Sequence, residues 1–427
     1  MPASSGMTAT GRPDPHASAR VHAGSCVPLH ASPRMIRGVR ALPRTIWLVA
    51  AISLFNDAAS DMIYPLVPLY LATVLMAGPK ALGLIEGVAE AVSSLLKLFA
   101  GVLADRSGNV RSWMIAGYAI AGFARPLIGL TTSWPGVLAC RFADRIGKGL
   151  RSAPRDALIS LSVDPGQRGL AFGFHRAMDN FGAVIGPLAA AALLAAGVGL
   201  RAVFVLAIVP ALIAIALALG VREPAHPARH DPAPMRWSVG GLPVPFRRYL
   251  CALALFTLGN SSNMFLLLRA NELGASATRV TLMWALFSLV TALLSTPLSA
   301  MSDRWGRARV LGGAWLAYAG AYLLIGLLPG ADWALWVAFA GYGVVTAALE
   351  GTEKALVADL VPRERIGAAF GWYNLVAGLF LLPASLLFGW LWSTFAPFAA
   401  FAFGAGCALG AALLLGLWVV RAPPAGA

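Results

Sequence analysis

The chain has 427 residues, 58% hydrophobic and 12% charged, with a formal net charge of +14. A soluble domain holds roughly 25% charged residues and could not enclose so much apolar surface, whereas one bilayer crossing absorbs about 20 apolar residues. A water-soluble fold is excluded, and the positive balance reads as membrane topology, with no nucleic-acid partner.

Met1 to Arg44 is rich in Pro, Ala, Ser, His and Arg and has no apolar run fit for a signal-peptide core, so a disordered cytoplasmic tail is expected over residues 1–44. Its His16, His22 and His30 are irregularly spaced and read as bystanders. Cys26, Cys140, Cys251 and Cys407 show neither metal nor disulfide spacing, and no metal site is expected.

Apolar runs long enough to span then follow in order. The first six are Thr45 to Leu75, Ala81 to Leu103, Ser112 to Leu130, Pro135 to Ile159, Leu170 to Leu194 and Ala202 to Leu219. Val221 to Arg248 is rich in Pro and Arg, lacks an apolar period and reads as a cytoplasmic linker. The second six are Leu250 to Leu268, Val280 to Ala300, Val310 to Leu328, Trp333 to Leu356, Ile366 to Leu391 and Phe398 to Val420. This predicts an all-α membrane protein with a six-helix bundle over 45–220, a linker over 221–248, a second bundle over 249–420 and a short tail over 421–427.

Charge placement sets the topology. The tails and even-numbered gaps collect most of the loop arginines, whereas the odd-numbered gaps hold Lys80, Arg201, Arg269 and Arg279. Such asymmetry places both termini in the cytoplasm and requires an even number of spans. An internal repeat supports two halves: Asp105-Arg106 and Asp303-Arg304 stand 198 residues apart, as do Ala157-Leu158 and Ala355-Leu356, and Ala171-Phe172-Gly173 and Ala369-Phe370-Gly371. Both copies of each landmark fall on one side of the membrane, so the repeats are parallel.

The loop after the second run, Gly101-Val-Leu-Ala-Asp105-Arg106-Ser-Gly108-Asn-Val-Arg111, resembles the Gly-x-Leu-x-Asp-Arg-x-Gly loop of the major facilitator superfamily. Its second copy passes through Asp303, Arg304, Gly306, Arg307 and Arg309. The resemblance extends from Thr45 to Val420 and implies twelve transmembrane helices as two parallel six-helix repeats, a central cavity and alternating access by rocking of the halves. It also implies a gating role for both loops, in which a carboxylate meets a basic side chain or a helix N-terminus; the plain alternative is a positively charged loop without gating work. Gly182-Ala-Val-Ile-Gly186-Pro187 is similar to the family's antiporter motif, but Ala189 and Ala190 stand where that pattern continues with glycines. Close helix packing explains the same residues equally well.

Ionisable residues inside spans carry the sharpest functional signal. Asp57 and Asp61 share one helical face with Tyr64 and Pro68. Glu86 and Glu90 form a second i, i+4 pair, with Lys97 further along. The fourth span carries Arg141, Asp144, Arg145, Lys148, Arg151, Arg155 and Asp156, of which Arg141, Arg145, Lys148 and Arg155 form a basic stripe. His175, Arg176, Asp179 and Asn180 lie in the fifth span, Asn260 and Asn263 in the seventh, and Glu350, Glu353 and Lys354 in the tenth.

Two readings compete. In one, these groups are an ion-pair network that holds helices together. In the other, Asp57, Asp61, Glu86 and Glu90 exchange protons, His175 with Asp179 forms a second proton site, and Arg141, Arg145 or Lys148 binds an anionic part of the cargo. Either way the expected protein is a transporter of a small solute and not an enzyme: it has no nucleotide-binding loop and no cofactor motif. Efflux against protons is the first expectation, proton-coupled uptake of an organic anion or metal chelate the second, and a non-transporting receptor on the same fold the reading from another class. The excess of Arg over Lys and the abundance of Ala suggest a bacterial inner membrane, where a monomer surrounded by lipid is expected.

Overall fold

The computed structural model describes residues 40–107, 110–164, 167–221, 241–330, 333–362 and 365–419, with the side chains of 97–107, 110 and 366–367 outside that description. Residues 1–39, most of the expected linker and Gly108 therefore lie outside the described residues, as do the side chains of Lys97, Asp105 and Arg106 and the surroundings of Gly101.

Every long described element is helical. The first six segments are α1 (Arg44–Val74), α2 (Pro79–Ser107), α3 (Arg111–Leu130), α4 (Trp134–Leu161), α5 (Arg168–Ala195) and α6 (Leu200–Leu219). The others are α7 (Val244–Glu272), α8 (Ala277–Trp305), α9 (Arg307–Leu327), α10 (Trp333–Asp359), α11 (Ile366–Thr394) and α12 (Pro397–Val419). Ten of these are long and apolar enough to cross a membrane, and α2 and α4, which carry most of the buried charges, are not among the ten. Each apolar run read from the sequence overlaps one of these helical segments, some of which are interrupted. The largest displacement is at α7, which begins at Val244 behind Pro243, so the end of the expected linker, Arg247 and Arg248 included, is already helical. Pro at the first turn explains the early start, since its missing N–H would be unsatisfied there in any case.

Two helices break where the site lies. In α1 the regular helix ends at Ile63 and tightens through Tyr64–Leu66, because Pro65 and Pro68 remove backbone donors. In α7 the helix stops at Gly259 and resumes at Met264, with Asn260 turned to φ −90° and ψ 78°. Tyr64 and Ser262 are 198 residues apart, the offset of the sequence repeat. The broken stretches of α1 and α7 pack against each other.

Within the first half, α1 packs on α5, and α4 on both α2 and α3; within the second, α8 packs on α10 and α12 on both α7 and α9. The halves meet along α2 with α11 and along α5 with α8. The α1–α5 contact needs glycine: a Cβ on Gly182 would strike the Leu54 carbonyl, and one on Gly186 the Ala58 carbonyl, so backbone touches backbone. Gly306, at φ 91°, makes the sharp turn between α8 and α9 that other residues adopt only under strain.

Candidate functional site

The first half holds a buried ionic network built from α2, α3 and α4. Asp144 on α4 is its centre, fully buried. It accepts from Arg125 Nε at 2.8 Å, from Arg141 Nη1 at 3.3 Å and from Arg145 Nη1 at 3.4 Å. Arg141 also donates twice to Glu86 Oε1, at 2.9 and 2.7 Å, and Arg145 Nη2 lies 2.8 Å from Glu90 Oε1. Arg125 reaches across to α1, donating to the Asn56 carbonyl at 3.1 Å and to Asn56 Oδ1 at 2.9 Å. Three guanidiniums thus face three carboxylates. Charges can stay in so apolar a place because each is paired and hydrogen-bonded.

Arg151, also buried, stands outside this balance, with its guanidinium 4.9 Å from the Tyr118 ring centroid and Nη1 without a hydrogen-bond partner. The basic stripe expected on α4 is therefore largely neutralised: Arg141 and Arg145 are bound to carboxylates, Arg155 is paired with Asp156 at 2.9 Å, and Lys148 is half-buried.

Next to this network is a cavity of about 390 Å³ between the halves. Tyr64, Glu90 and Arg176 line it from the first half. Asn260, Asn263, Tyr318, Tyr342, Glu350, Glu353, Lys354 and Tyr373 are among those lining it from the second. Tyr318 donates to Asn260 Oδ1 at 3.1 Å, Tyr342 to Asn263 Oδ1 at 2.8 Å, and Tyr373 to Glu353 Oε2 at 2.7 Å. The wall is thus aromatic and polar, with carboxylates at both sides.

Polar contacts cross between the halves around the cavity. Ser262 Oγ donates to Glu86 Oε2 at 3.1 Å, Trp284 Nε1 to Asp61 Oδ1 at 3.1 Å, and Arg176 Nη2 to Glu350 Oε2 at 3.4 Å. Trp284 also stacks on Tyr64, ring centroids 4.9 Å apart. The structure thus brings Glu90, Asn260, Asn263 and Glu350 to the cavity, and puts Asp61, Glu86, Arg141 and Arg145 just behind it. Asp57 does not line the cavity; Asn56 Nδ2 donates to it at 2.7 Å. His175 lies against α1, its Nε2 2.6 Å from Ser53 Oγ and 3.8 Å from Asp179 Oδ1.

The gating loops are described only in the second half and at Arg111. Arg307 bridges Asp303, one turn back, and Asp359 on α10, with contacts of 3.0 and 2.6 Å. Arg304 is exposed. This cluster ties α8 and α9 to α10 within one half. Arg111 donates to the Leu219 carbonyl at 2.7 Å, again within its own half.

Sequence reasoning passed over Arg125, Ser262 and Trp284. Arg125 did carry a signal, an arginine deep in the apolar run Ser112 to Leu130, where charge marks function or a partner. Ser262 and Trp284 carried none, since each is an ordinary residue type for a membrane helix.

The broken helices, the cavity between two packed halves and the buried charges define a membrane transporter. The Major Facilitator Superfamily model matches residues 49–268 and again 249–427, and the chain belongs to that family, whose members transport small molecules across lipid bilayers. An uncharacterised MFS-type transporter of Methanocaldococcus jannaschii is 31% identical over 88% of this chain and 95% of its own length. The multidrug resistance protein MdtG of Escherichia coli is 29% identical over 60% of this chain and 65% of its own. A mutant form of the nucleoside transporter NupG shares the fold with a TM-score of 0.73 at 12% identity, covering 87% of this chain and 99% of NupG.

Proposed function

We propose that the chain is a twelve-span secondary transporter that exports a small organic molecule in exchange for protons, its two six-helix halves rocking about the cavity and its termini in the cytoplasm of a bacterial cell. The observation that carries this reading is the pair of first-half carboxylates, Asp61 and Glu86, that accept hydrogen bonds from Trp284 and Ser262 of the second half. An ionised carboxylate can only accept hydrogen bonds; a proton turns one oxygen into a donor, leaves less acceptor capacity and weakens the ion pair. Proton arrival at Glu86 therefore acts at once on the Arg141 pair and on the contact between halves. That is the link an exchanger needs between proton binding and opening.

The cargo side supports export. Arg141 and Arg145 are already held by carboxylates, so the first-half arginines offer little to an anionic cargo. Glu90 and Glu350 are likewise held, by Arg145 and Arg176, which leaves Glu353 with Tyr64, Tyr318, Tyr342 and Tyr373 on the cavity wall to suit a cationic or aromatic molecule, by charge and by cation–π contact. The multidrug resistance protein MdtG among the relatives supports a drug-like cargo. Arg176 and Lys354 on the same wall favour the second reading, uptake of an organic anion with protons.

The test is the pH inside proteoliposomes as cationic drugs and organic acids are added in turn. Export by exchange moves protons opposite to a cationic drug, and Asp61→Asn and Glu86→Gln abolish that movement. Proton flux unaltered in both variants would overturn the coupling role; a pH change of the opposite sign with an organic acid would select uptake.

A further inference from the structure

Away from the cavity, the outer face of α8, α9 and α10 carries an apolar groove of about 700 Å³ whose walls include Leu298, Met301, Gly313, Ala317, Val344 and Ala348. Along α9 it runs from Val310 to Ala317, about 10 Å at 1.5 Å per residue. At the α8–α9 turn it adjoins a polar pocket of about 430 Å³, and Arg304, Trp305 and Arg309 line both. The space thus has one apolar compartment, one polar compartment and three residues where they join.

The charges at that junction are unequal. Asp303 and Asp359 are the two carboxylates of the polar pocket, and Arg307 holds both. Arg304 and Arg309 are exposed and make no ion pair among the described residues. Trp305 is 62% exposed beside them, an indole at the end of a membrane helix where aromatic rings meet the headgroup layer.

We propose that this groove is a binding site for one anionic phospholipid, with the phosphate at Arg304 and Arg309 and an acyl chain lying between α8, α9 and α10. A soluble anion would leave the apolar compartment empty, and an uncharged apolar molecule would leave both arginines unanswered. A phospholipid fills both. Net negative charge is required because a zwitterionic headgroup brings its own cation against the two arginines. The inference needs only the membrane setting and is independent of cargo and direction.

Native mass spectrometry of the purified full chain, titrated with phosphatidylglycerol or phosphatidylcholine of the same acyl composition, tests it. Phosphatidylglycerol should be retained as a single preferred adduct. Arg304→Ala/Arg309→Ala should weaken it about thirtyfold, at roughly fivefold for each basic residue at a membrane surface. Gly313→Leu should also remove it: a Cβ there meets nothing within 4 Å, so the side chain fills the groove without disturbing the helix packing. Arg279→Ala, exposed at the opposite end of α8, should leave it unchanged. Equal retention of the two lipids, parental affinity in the double arginine variant or in Gly313→Leu, or an equal loss in Arg279→Ala would each overturn the proposal. If the double arginine variant does not fold, Gly313→Leu decides.

Discussion

Asp144 shows how single residues set the stability of this site. It is fully buried and accepts from three arginines, of which Arg125 is nearest at 2.8 Å. Removing one partner of a buried pair leaves a desolvated charge and destabilises by about 3–5 kcal/mol, whereas removing both costs much less. Arg125→Ala should therefore lower the melting temperature sharply in detergent. Arg125→Ala/Asp144→Ala should not fully restore it, because Arg141 and Arg145 then lose an acceptor and Asn56 its donor. A double-mutant cycle on thermal unfolding measures the coupling. A second prediction concerns Trp284. Phe at this position keeps the stacking on Tyr64 and on Phe287 but deletes the N–H that reaches Asp61. A hydrogen bond to an ionised group contributes roughly 1.5–3 kcal/mol. Trp284→Phe should fold like the parent and slow proton-coupled flux by about tenfold; unchanged flux would remove Asp61 from the coupling.

At the scale of helices, charge explains both what the sequence revealed and what it concealed. All the helices were visible as apolar runs, including α2 and α4, although composition alone leaves those two outside the ten membrane-compatible segments. Their charges meet each other: Glu86 with Arg141 and Glu90 with Arg145. The i, i+4 spacing of each carboxylate pair was legible, and so was the matching spacing on α4. Which pairs would meet was not, because it depends on how the helices are rotated. The break in α1 has a signal in Pro65 and Pro68 that the reading of one continuous run passed over, whereas that in α7 has none as strong, since Asn260, Ser261, Ser262 and Asn263 interrupt an apolar run without a proline. Ser262–Glu86 and Trp284–Asp61 join residues 176 and 223 positions apart, and no local pattern encodes such contacts. Helix packing yields a further prediction. Gly182 and Gly186 touch the α1 backbone, while a Cβ on Gly371 meets nothing within 4 Å. Gly182→Leu should force α1 and α5 apart and abolish well-folded protein, measured as monodisperse yield after extraction; Gly371→Leu should leave that yield intact.

For the molecule as a whole, the decisive quantity is the free energy of the contacts that hold the halves in this arrangement. Arg176–Glu350 has the placement of a latch, but its side chains are 58% and 41% exposed, and exposed pairs contribute about 0–1 kcal/mol. Breaking it shifts a two-state balance by at most about fivefold. Ser262–Glu86 is smaller but nearly dry, with Glu86 only 1% exposed, and a hydrogen bond to a buried carboxylate is of the order of 1.5–3 kcal/mol. Its loss should shift the balance by a factor of about 10 to 150. Spin labels at Asp164 and Pro362, both exposed at the same end of the bundle as the α5 start and the α10 end, would report the distance distribution between the halves by pulsed electron resonance. Ser262→Ala should move the population toward a second distance by tenfold or more, whereas Glu350→Ala moves it fivefold at most. The reverse order would mean that the exposed pair, rather than the buried carboxylate, holds the halves, and that proton binding at Glu86 has no leverage on opening.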